Sequence, residues 1–564
     1  MSTDTLKIDL TDAIHAIDFE TYGGLNPYRP GTGIRLVAHR KSYVPPTVLV
    51  DVYDLATNHI ADLSKMTQWR IVAHNALYEL VWAAAKRRVF PKDVHCTFTA
   101  AKLLAGDGEA CGLDAVQQRY LNIPPRPDKA AWQKVDWANA LVMDDAIKYA
   151  ADDVRYLPEL HRVLQERLKE AGLTSLYEME RSLLPVVVKV IDNGFLVDDV
   201  KLAQIQTEAI RARDRAGAIL AQFAPPKAYG SPKQMLAVLQ ALGLLLEDTS
   251  EGSLAEHRGH PAVDALLEWR AQEKLRQQAE SYRKEICSDG RIHALYKPLS
   301  CASGRFSCAE PNLQQVARGK LREAFVAPPG KLLVIADYSQ LELRIVAAIA
   351  GEKRMIEAFQ AGRDLHQETA DRVLGTKGSS KDARQIAKSL NFGLVFGMGA
   401  PAFQQYAKTN FNVDLTLDEA KSLRARFFKA YPAIAAWHES EKDSWDDWAT
   451  TRLGRRRQVG DKLCARINHP VQGGAADGVK LALLDLDRAL PAHSRIVALV
   501  HDEFVVETPE ESAEEVAALT VYCMAYRMQK LYPECPIRAD YSVGRSWGAK
   551  GQHSPAQEAA GATP

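Results

Sequence analysis

The sequence lacks any excess of charge: its 564 residues hold 71 basic and 71 acidic side chains. Bulk electrostatics therefore give no sign of a nucleic-acid partner, and any such affinity has to come from local patches. The eight cysteines (Cys96, Cys111, Cys287, Cys301, Cys308, Cys464, Cys523, Cys535) form no C-x-x-C pair and no zinc spacing. They read as scattered reduced thiols, which excludes a disulfide framework and a structural zinc site. The N-terminal MSTDTLKIDLTDAI lacks the basic and apolar regions of a signal peptide, and no apolar run is long enough to span a membrane. A soluble, cytoplasmic protein is expected. No internal repeat is present. At 46% hydrophobic and 25% charged residues the composition is that of an ordinary globular chain. Its length predicts roughly three or four domains rather than one core.

Apolar runs and helical patterns alternate from the strand IHAIDFE (residues 14–20) to about residue 170, predicting an α/β domain. Residues 176–290 are mostly helical by periodicity, with a break at PPKAYGSPKQ. A Gly/Ser-rich segment, SCASGRFSCAEPNLQQ, follows, and the strand KLLVIADY then opens the last and largest region. The tail at 551–564, rich in Pro, Gly and Ala, is expected to be disordered.

Two groups of acidic segments carry chemistry. In the first strand Asp18 and Glu20 share a face, ~7 Å apart along the chain. Two acids on one face of an apolar strand repel each other, and a divalent cation removes that cost. An isolated D-x-E is more often a strand end in solvent. Two further segments change the weighting: HNALYEL offers Asn75 and Glu79, and DDAIKYAADDVRYL places Tyr149 and Asp153 on one helical face.

The second group lies in the last 240 or so residues. VIADYSQLELR ends a strand at Asp337 and continues into a helix with Glu342 and Arg344. In SSKDARQIAKSLNFGLVFGM, Arg384, Lys388 and Phe392 recur every fourth residue on one side of a helix, which Ser379 or Ser380 would cap and Gly397 would end. Two cations followed by an aromatic suit a nucleotide, although a solvated amphipathic helix is the blander reading. Gly393 inside that helix hints at close approach of something large. RIVALVHDEFVVE reads as a hairpin lifting His501, Asp502 and Glu503 to its tip.

In order and wording these segments resemble family A DNA polymerases, the bacterial DNA polymerase I family, with an upstream 3′→5′ exonuclease of the DEDD type. SGRFSCAEPNLQQ and INHPVQGGAADGVK resemble two further family segments. The resemblance implies a multidomain α/β and α+β protein: an RNase H-like exonuclease domain, then a right-hand polymerase. The implied divisions are 1–172 exonuclease, 173–320 thumb and entry to the palm, and 321–360 palm. Residues 361–440 would be fingers (motif B helix 381–397), and 441–550 palm again.

The roles it implies fall on particular positions. Asp337 and Asp502 would hold two Mg²⁺ for nucleotidyl transfer to a primer 3′ end, with Glu503 close by. Arg384, Lys388 and His366 would bind the deoxynucleoside triphosphate beside Phe392 and Phe396, Lys388 also protonating leaving pyrophosphate. Glu342 would exclude the ribose 2′-hydroxyl. Arg305, Gln472 and Asn468 would read the minor groove of primer-template DNA. Asp18, Glu20, Glu79 and Asp153 would bind two more Mg²⁺ (Mn²⁺ can substitute), with Tyr149 orienting the attacking water. The run TRLGRRRQVGDKLCARINHP, with Arg452, Arg455, Arg456, Arg457, Lys462 and Arg466 against Asp461, is expected on duplex phosphates, Arg455 and Arg456 foremost.

The chain departs from the family pattern at Glu79 (usually Asp), Gln385 (usually Arg), Phe396 (usually Tyr) and Gln315-Val316-Ala317 (usually N-I-P after the conserved Gln). Only 17 residues precede Asp18, which suggests no 5′-nuclease domain and a phage-type replication enzyme, read as a monomer open to replication accessory proteins. A single-subunit RNA polymerase is opposed by Glu342 and the exonuclease motifs. A nuclease with a decayed polymerase domain is opposed by the intact Asp337, Arg384, Lys388 and Asp502.

Overall fold

The computed structural model describes residues 13–41, 50–55, 63–106, 108–140, 142–375, 381–411, 413–460 and 462–548. The expected disordered tail and the capping Ser379 or Ser380 lie outside them.

The first half is built on a five-stranded sheet. Strands β1 (Ile14–Tyr22), β2 (Gly33–Lys41), β3 (Asp51–Asp54), β4 (Arg70–Ala73) and β5 (Val94–Cys96) lie in the order β3-β2-β1-β4-β5. The first three run antiparallel, and β4 and β5 run parallel to β1. This is the RNase H-like arrangement, with β1 central. Helix α1 (Leu77–Arg87) follows β4, and α2 (Asp144–Arg155) lies against β1 and β2. Asp18 and Glu20 are therefore carried on a strand that neighbours hold from both sides.

Helix α3 (Thr174–Asn193) leads out of this half. It packs on α1 and β5 on one side, and on the later strand β7 and helix α9 on the other. As a result one contiguous core runs from Ala16 and Ile17 through Leu183 and Val187 to Val334 and Val505. This corrects the expectation of separate cores: α3 is apolar on opposite faces and joins the two halves.

Helices α4 (Asp199–Leu220) and α5 (Pro261–Lys284) project as a pair whose far end has a core of its own, packed antiparallel along their length. Ion pairs Arg213–Glu273 (3.0 Å) and Arg283–Asp199 (2.6 Å) link them. A small core of Leu220, Met235, Leu239, Leu254 and Leu266 fills the tip.

The second sheet has the order β7-β8-β6-β9, from β6 (Lys331–Tyr338), β7 (Arg495–Val500), β8 (Glu503–Pro509) and β9 (Ala539–Gly544). Helix α6 (Leu341–Ala350) continues from β6, while α7 (Lys381–Gly393) and α8 (Ala400–Phe411) pack on each other, α7 also on the helix Leu365–Thr369 and α8 on the helix Leu417–Ala430. Helices α9 (Leu463–Ala489) and α10 (Ala513–Leu531) pack on each other, and α10 backs β6. The tip of the projecting pair touches α8 through Lys408–Glu256 (3.1 Å).

Where α3 meets α9, four charges are buried together. Glu180 Oε1 accepts from Lys480 Nζ at 2.6 Å and from Arg455, and Arg455 Nε donates to Asp477 at 2.7 Å. All four side chains are at most 3% exposed. The set is neutral, two acids against two bases, which is what lets it remain out of water. Glu180→Ala would leave Arg455 and Lys480 short of a partner. It is expected to lower unfolding free energy by about 3–5 kcal/mol, read as a shift of the urea midpoint. A shift within error would show that the set is not a joint between the halves.

Candidate active sites

Side-chain alternation on β1 sends Asp18 and Glu20 to one face, and α2 brings Asp153 onto them. One carboxylate oxygen from each of the three lies within 4.8 Å of the others. Glu79 sits in the first turn of α1, 3% exposed, its Oε2 without a hydrogen-bond partner. Asn75, four residues earlier, adopts φ +69° and turns the chain into that helix, a conformation asparagine tolerates better than most.

Burial, then the charge of Asp153, raises the Glu20 carboxyl to about 8. Burial likewise raises Glu79 to about 8, and Asp18 and Asp153 also move up, Asp18 under the added repulsion of Asp153, Glu20 and Glu79. An all-oxygen donor set that repels itself, with one buried oxygen unpartnered, fits hard divalent cations. Tyr149 lies one turn before Asp153, stacked with Trp132 (5.5 Å between centroids) and near Trp137 (6.4 Å). Burial and then Asp153 push its hydroxyl upward, so it stays a phenol and a donor. The four acids, Tyr149 and Trp137 line one cavity of about 1180 Å³, which residues 295–300 of the second half also line.

The second centre forms at one end of the other sheet. Asp337 is registered opposite Glu503 on β8 and Asp540 on β9. His501 and Asp502 make the two-residue connection between β7 and β8, with His501 at φ +57°, the left-handed region that such tight hairpins use. Burial, then Asp502, then Glu503 raise the Asp337 carboxyl to about 7. Asp502 is also raised, by burial first. Glu503 is held back from this pair. It is buried, accepts from Arg322 Nη1 (3.1 Å) and Trp547 Nε1 (2.6 Å), and Arg322 lies 4.0 Å from the Trp547 ring centroid. Arg318 reaches within 3.7 Å of Asp337. No sequence motif flagged Arg318, Arg322 or Trp547; the tryptophan lies 44 residues beyond Glu503.

On α7, Arg384 is paired with Asp364 at 2.6 Å and Lys388 is half-buried. His366 is buried, with Asn391 Nδ2 2.9 Å from its Nδ1, and burial lowers its pKa to about 4. It is a neutral group packed against Phe392 (5.5 Å), not a third cation. The regular helix ends at Gly393, and a 3-10 turn carries Leu394–Phe396, burying Phe396. Gly393 is explained by packing: a Cβ there would meet Phe403 at 2.9 Å and Tyr406 at 3.2 Å on α8, rather than a ligand. Glu342 and Arg305 form an ion pair close enough for both charges to act on Asp502. Asn468 donates to Cys464 O within α9 (2.7 Å), one turn before Gln472, which is half-buried.

The basic run needs correction. Arg455 belongs to the buried set with Glu180 and Asp477, so it cannot reach phosphates. Arg456 donates to Leu104 O (3.0 Å) and lies over Trp448, docking the hairpin of residues 448–458 onto the first half. Arg452 pairs with Glu534 (3.0 Å), and Arg466 donates to Gly460 O (3.0 Å). The run is chiefly a structural brace. Among the described residues no helix is long and apolar enough to cross a membrane.

Comparison with known proteins agrees with this geometry. The family model "DNA polymerase family A" matches residues 202–549, and a "3'-5' exonuclease" model matches residues 11–169. DNA polymerase I of Aquifex aeolicus is 31% identical over 95% of this chain and 98% of its own length. The thermostable DNA polymerase I of Thermus filiformis is 32% identical over 71% of this chain, but the match spans only 51% of that protein. Among solved structures, the POL domain of Pol1 from M. smegmatis, in complex with DNA primer-template and dNTP, superposes with TM-score 0.81 at 26% identity, covering 95% of this chain and 96% of that one. The chain belongs to DNA polymerase family A, as a DNA-directed DNA polymerase with a 3′→5′ exonuclease domain ahead of its synthetic half.

The raised carboxyls set a pH test. Glu20 and Glu79 hold protons up to about 8 when folded, against an ordinary value of 4.5. Between those values folding takes up protons, so these acids erode stability as pH rises. A divalent cation offsets that loss most where the acids are ionised. The rise in Tm on adding Mg²⁺ to metal-stripped protein should be larger at about pH 8.5 than at about pH 6. An equal rise at both would contradict the assignment.

Proposed function

We propose that Asp337 and Asp502 are the metal-binding pair that extends a DNA primer 3′ end, and that Asp18, Glu20, Glu79 and Asp153 excise it. The observation that supports this best is the juxtaposition of Asp337 and Asp502 at the end of the second sheet, each with its carboxyl raised by burial and, at Asp337, by its neighbour. Mg²⁺ is the proposed ion at both centres, two at each; when bound it activates the attacking oxygen and stabilises the charged phosphoryl group.

The chain's own groups then divide the work. Arg384 and Lys388 bind the phosphates of the incoming deoxynucleoside triphosphate, with Arg384 leaving Asp364 to do so, while Phe392 contacts its base or sugar. Lys388 supplies a proton to departing pyrophosphate. Glu342 closes the space a 2′-hydroxyl would occupy, and its partner Arg305 lies with Gln472 and Asn468 along the minor-groove edge of the primer terminus. Glu503 tunes Asp337 by its charge and is not a ligand, since Arg322 and Trp547 occupy it. In the excision half Tyr149 orients the attacking water.

Primer-template DNA and deoxynucleoside triphosphates are the proposed partners, in the cytoplasm of a bacterial cell. The bacterial relatives give no support to a specifically phage-type role.

Asp502→Ala is expected to lower primer extension by at least ~10³-fold while leaving degradation of single-stranded DNA intact. Asp18→Ala should do the reverse. Loss of both activities from either single change would sink the two-centre reading.

A further inference from the structure

Ionised, the four excision-site acids carry four negative charges, and two divalent ions would balance only those. The phosphodiester substrate brings further negative charge that this balance leaves unmet. The structure places two basic groups there, on a stretch outside every motif. Between the helix Leu113–Leu121 and the short turn Lys129–Trp132, the chain passes beside the acids. Lys129 lines the same cavity as Asp18, Glu20 and Asp153, and its charge draws the Asp18 and Glu20 carboxyls back down against their burial.

A single carboxylate holds both bases. Asp114 accepts from Lys129 Nζ at 2.7 Å and from Arg126 Nη2 at 2.9 Å. Burial opposes its ionisation, yet those bonds keep its carboxyl below the ordinary value. Arg126 Nη2 also donates to Asp153 at 2.6 Å, and the guanidinium lies 5.3 Å from the Tyr149 ring centroid. Arg126 Nη1 is buried without a partner. Two cations against Asp114 leave one positive charge in excess at the cavity. Arg126 is tied to both Asp114 and Asp153 and its spare Nη1 is buried, whereas the Lys129 ammonium carries three N–H groups and lines the cavity.

We propose that Lys129 binds a non-bridging oxygen of the phosphodiester under excision, and that Arg126 and Asp114 are positioning residues holding Lys129 and Asp153 in place. This rests on the excision reading of the Asp18 cluster. An ammonium suits the task, being a compact point charge for phosphate rather than a planar fork. Asp114 keeps it directed while no substrate is bound.

Thymidine 5′-monophosphate, a product of excision, is the probe, titrated calorimetrically in Mg²⁺, with the Asp18→Ala chain as blank. Lys129→Met should weaken its binding by about tenfold or more, the loss of one charge-assisted bond, and slow single-turnover excision by a similar factor. Lys129→Arg should keep both within about threefold, because the charge remains. Primer extension by each variant reports that the chain is folded. If Lys129→Met binds the mononucleotide within about twofold of the parent while Asp18→Ala abolishes binding and excision, the assignment of Lys129 is overturned and the excision centre stands. If Asp18→Ala leaves excision intact, the centre itself is misplaced.

Discussion

Strand β6 is hydrogen-bonded on both edges, with Asp337 opposite Glu503 on β8 and Asp540 on β9. Side chains alternate faces along a strand, so a slip of one residue would turn Asp337 into the core and break its approach to Asp502. The register is pinned by the apolar residues on either side: Val334, Ile335 and Ala336 are buried against β8 and α10. The two-residue connection at His501-Asp502 fixes the other acid relative to the same ladder. The pair of carboxylates is thus held together by the sheet, against their mutual repulsion, without relying on a flexible loop.

The two centres manage that repulsion differently. At the excision centre three acids arrive from β1 and α2, with Glu79 from α1, and the opposing charge comes from Arg126 and Lys129. At the synthetic centre only two acids face each other. A third, Glu503, has its charge absorbed by Arg322 and Trp547. Its remaining influence on Asp337, the residue opposite it on β6, is partly cancelled by Arg318 and Arg322. Burial does most of the work in raising all these carboxyls, which is why oxygen-binding cations can find a high-energy site ready for them.

Local signals in the chain were enough to find the elements that carry acids. D-x-E on an alternating strand, Y-x-x-x-D at helical spacing and an acid pair between two β-runs each survive intact, because strand and helix periodicity act over a few residues. Signals that depend on distant partners were misleading. Arg455 reads as a phosphate contact among other arginines, yet Glu180 claims it from 275 residues away. Gly393 reads as room for a ligand, and the space is taken by Phe403 and Tyr406 of the next helix. Arg126 and Lys129 gave no signal, since their positions matter only once the chain has folded over Asp153. His366 is expected on the triphosphate, but its burial, which only the fold imposes, keeps it a neutral imidazole.

The shared core carries the argument one step further. Domains joined by small polar interfaces move relative to each other by default. Here α3 is packed on α1 and β5 on one side and on β7 and α9 on the other, and the buried Glu180–Arg455–Asp477–Lys480 set locks α3 to α9. The hairpin of residues 448–458 adds a second attachment through Arg456 and Leu104. Separating the halves would expose apolar surface and strand a buried ion cluster, both costly. The two carboxylate centres therefore keep a fixed distance. A DNA end served by both has to travel between them, and the segment 295–300, which lines the excision cavity while Tyr296 accepts a hydrogen bond from Leu499 N (3.3 Å), ties that cavity to β7, the strand that leads to Asp502.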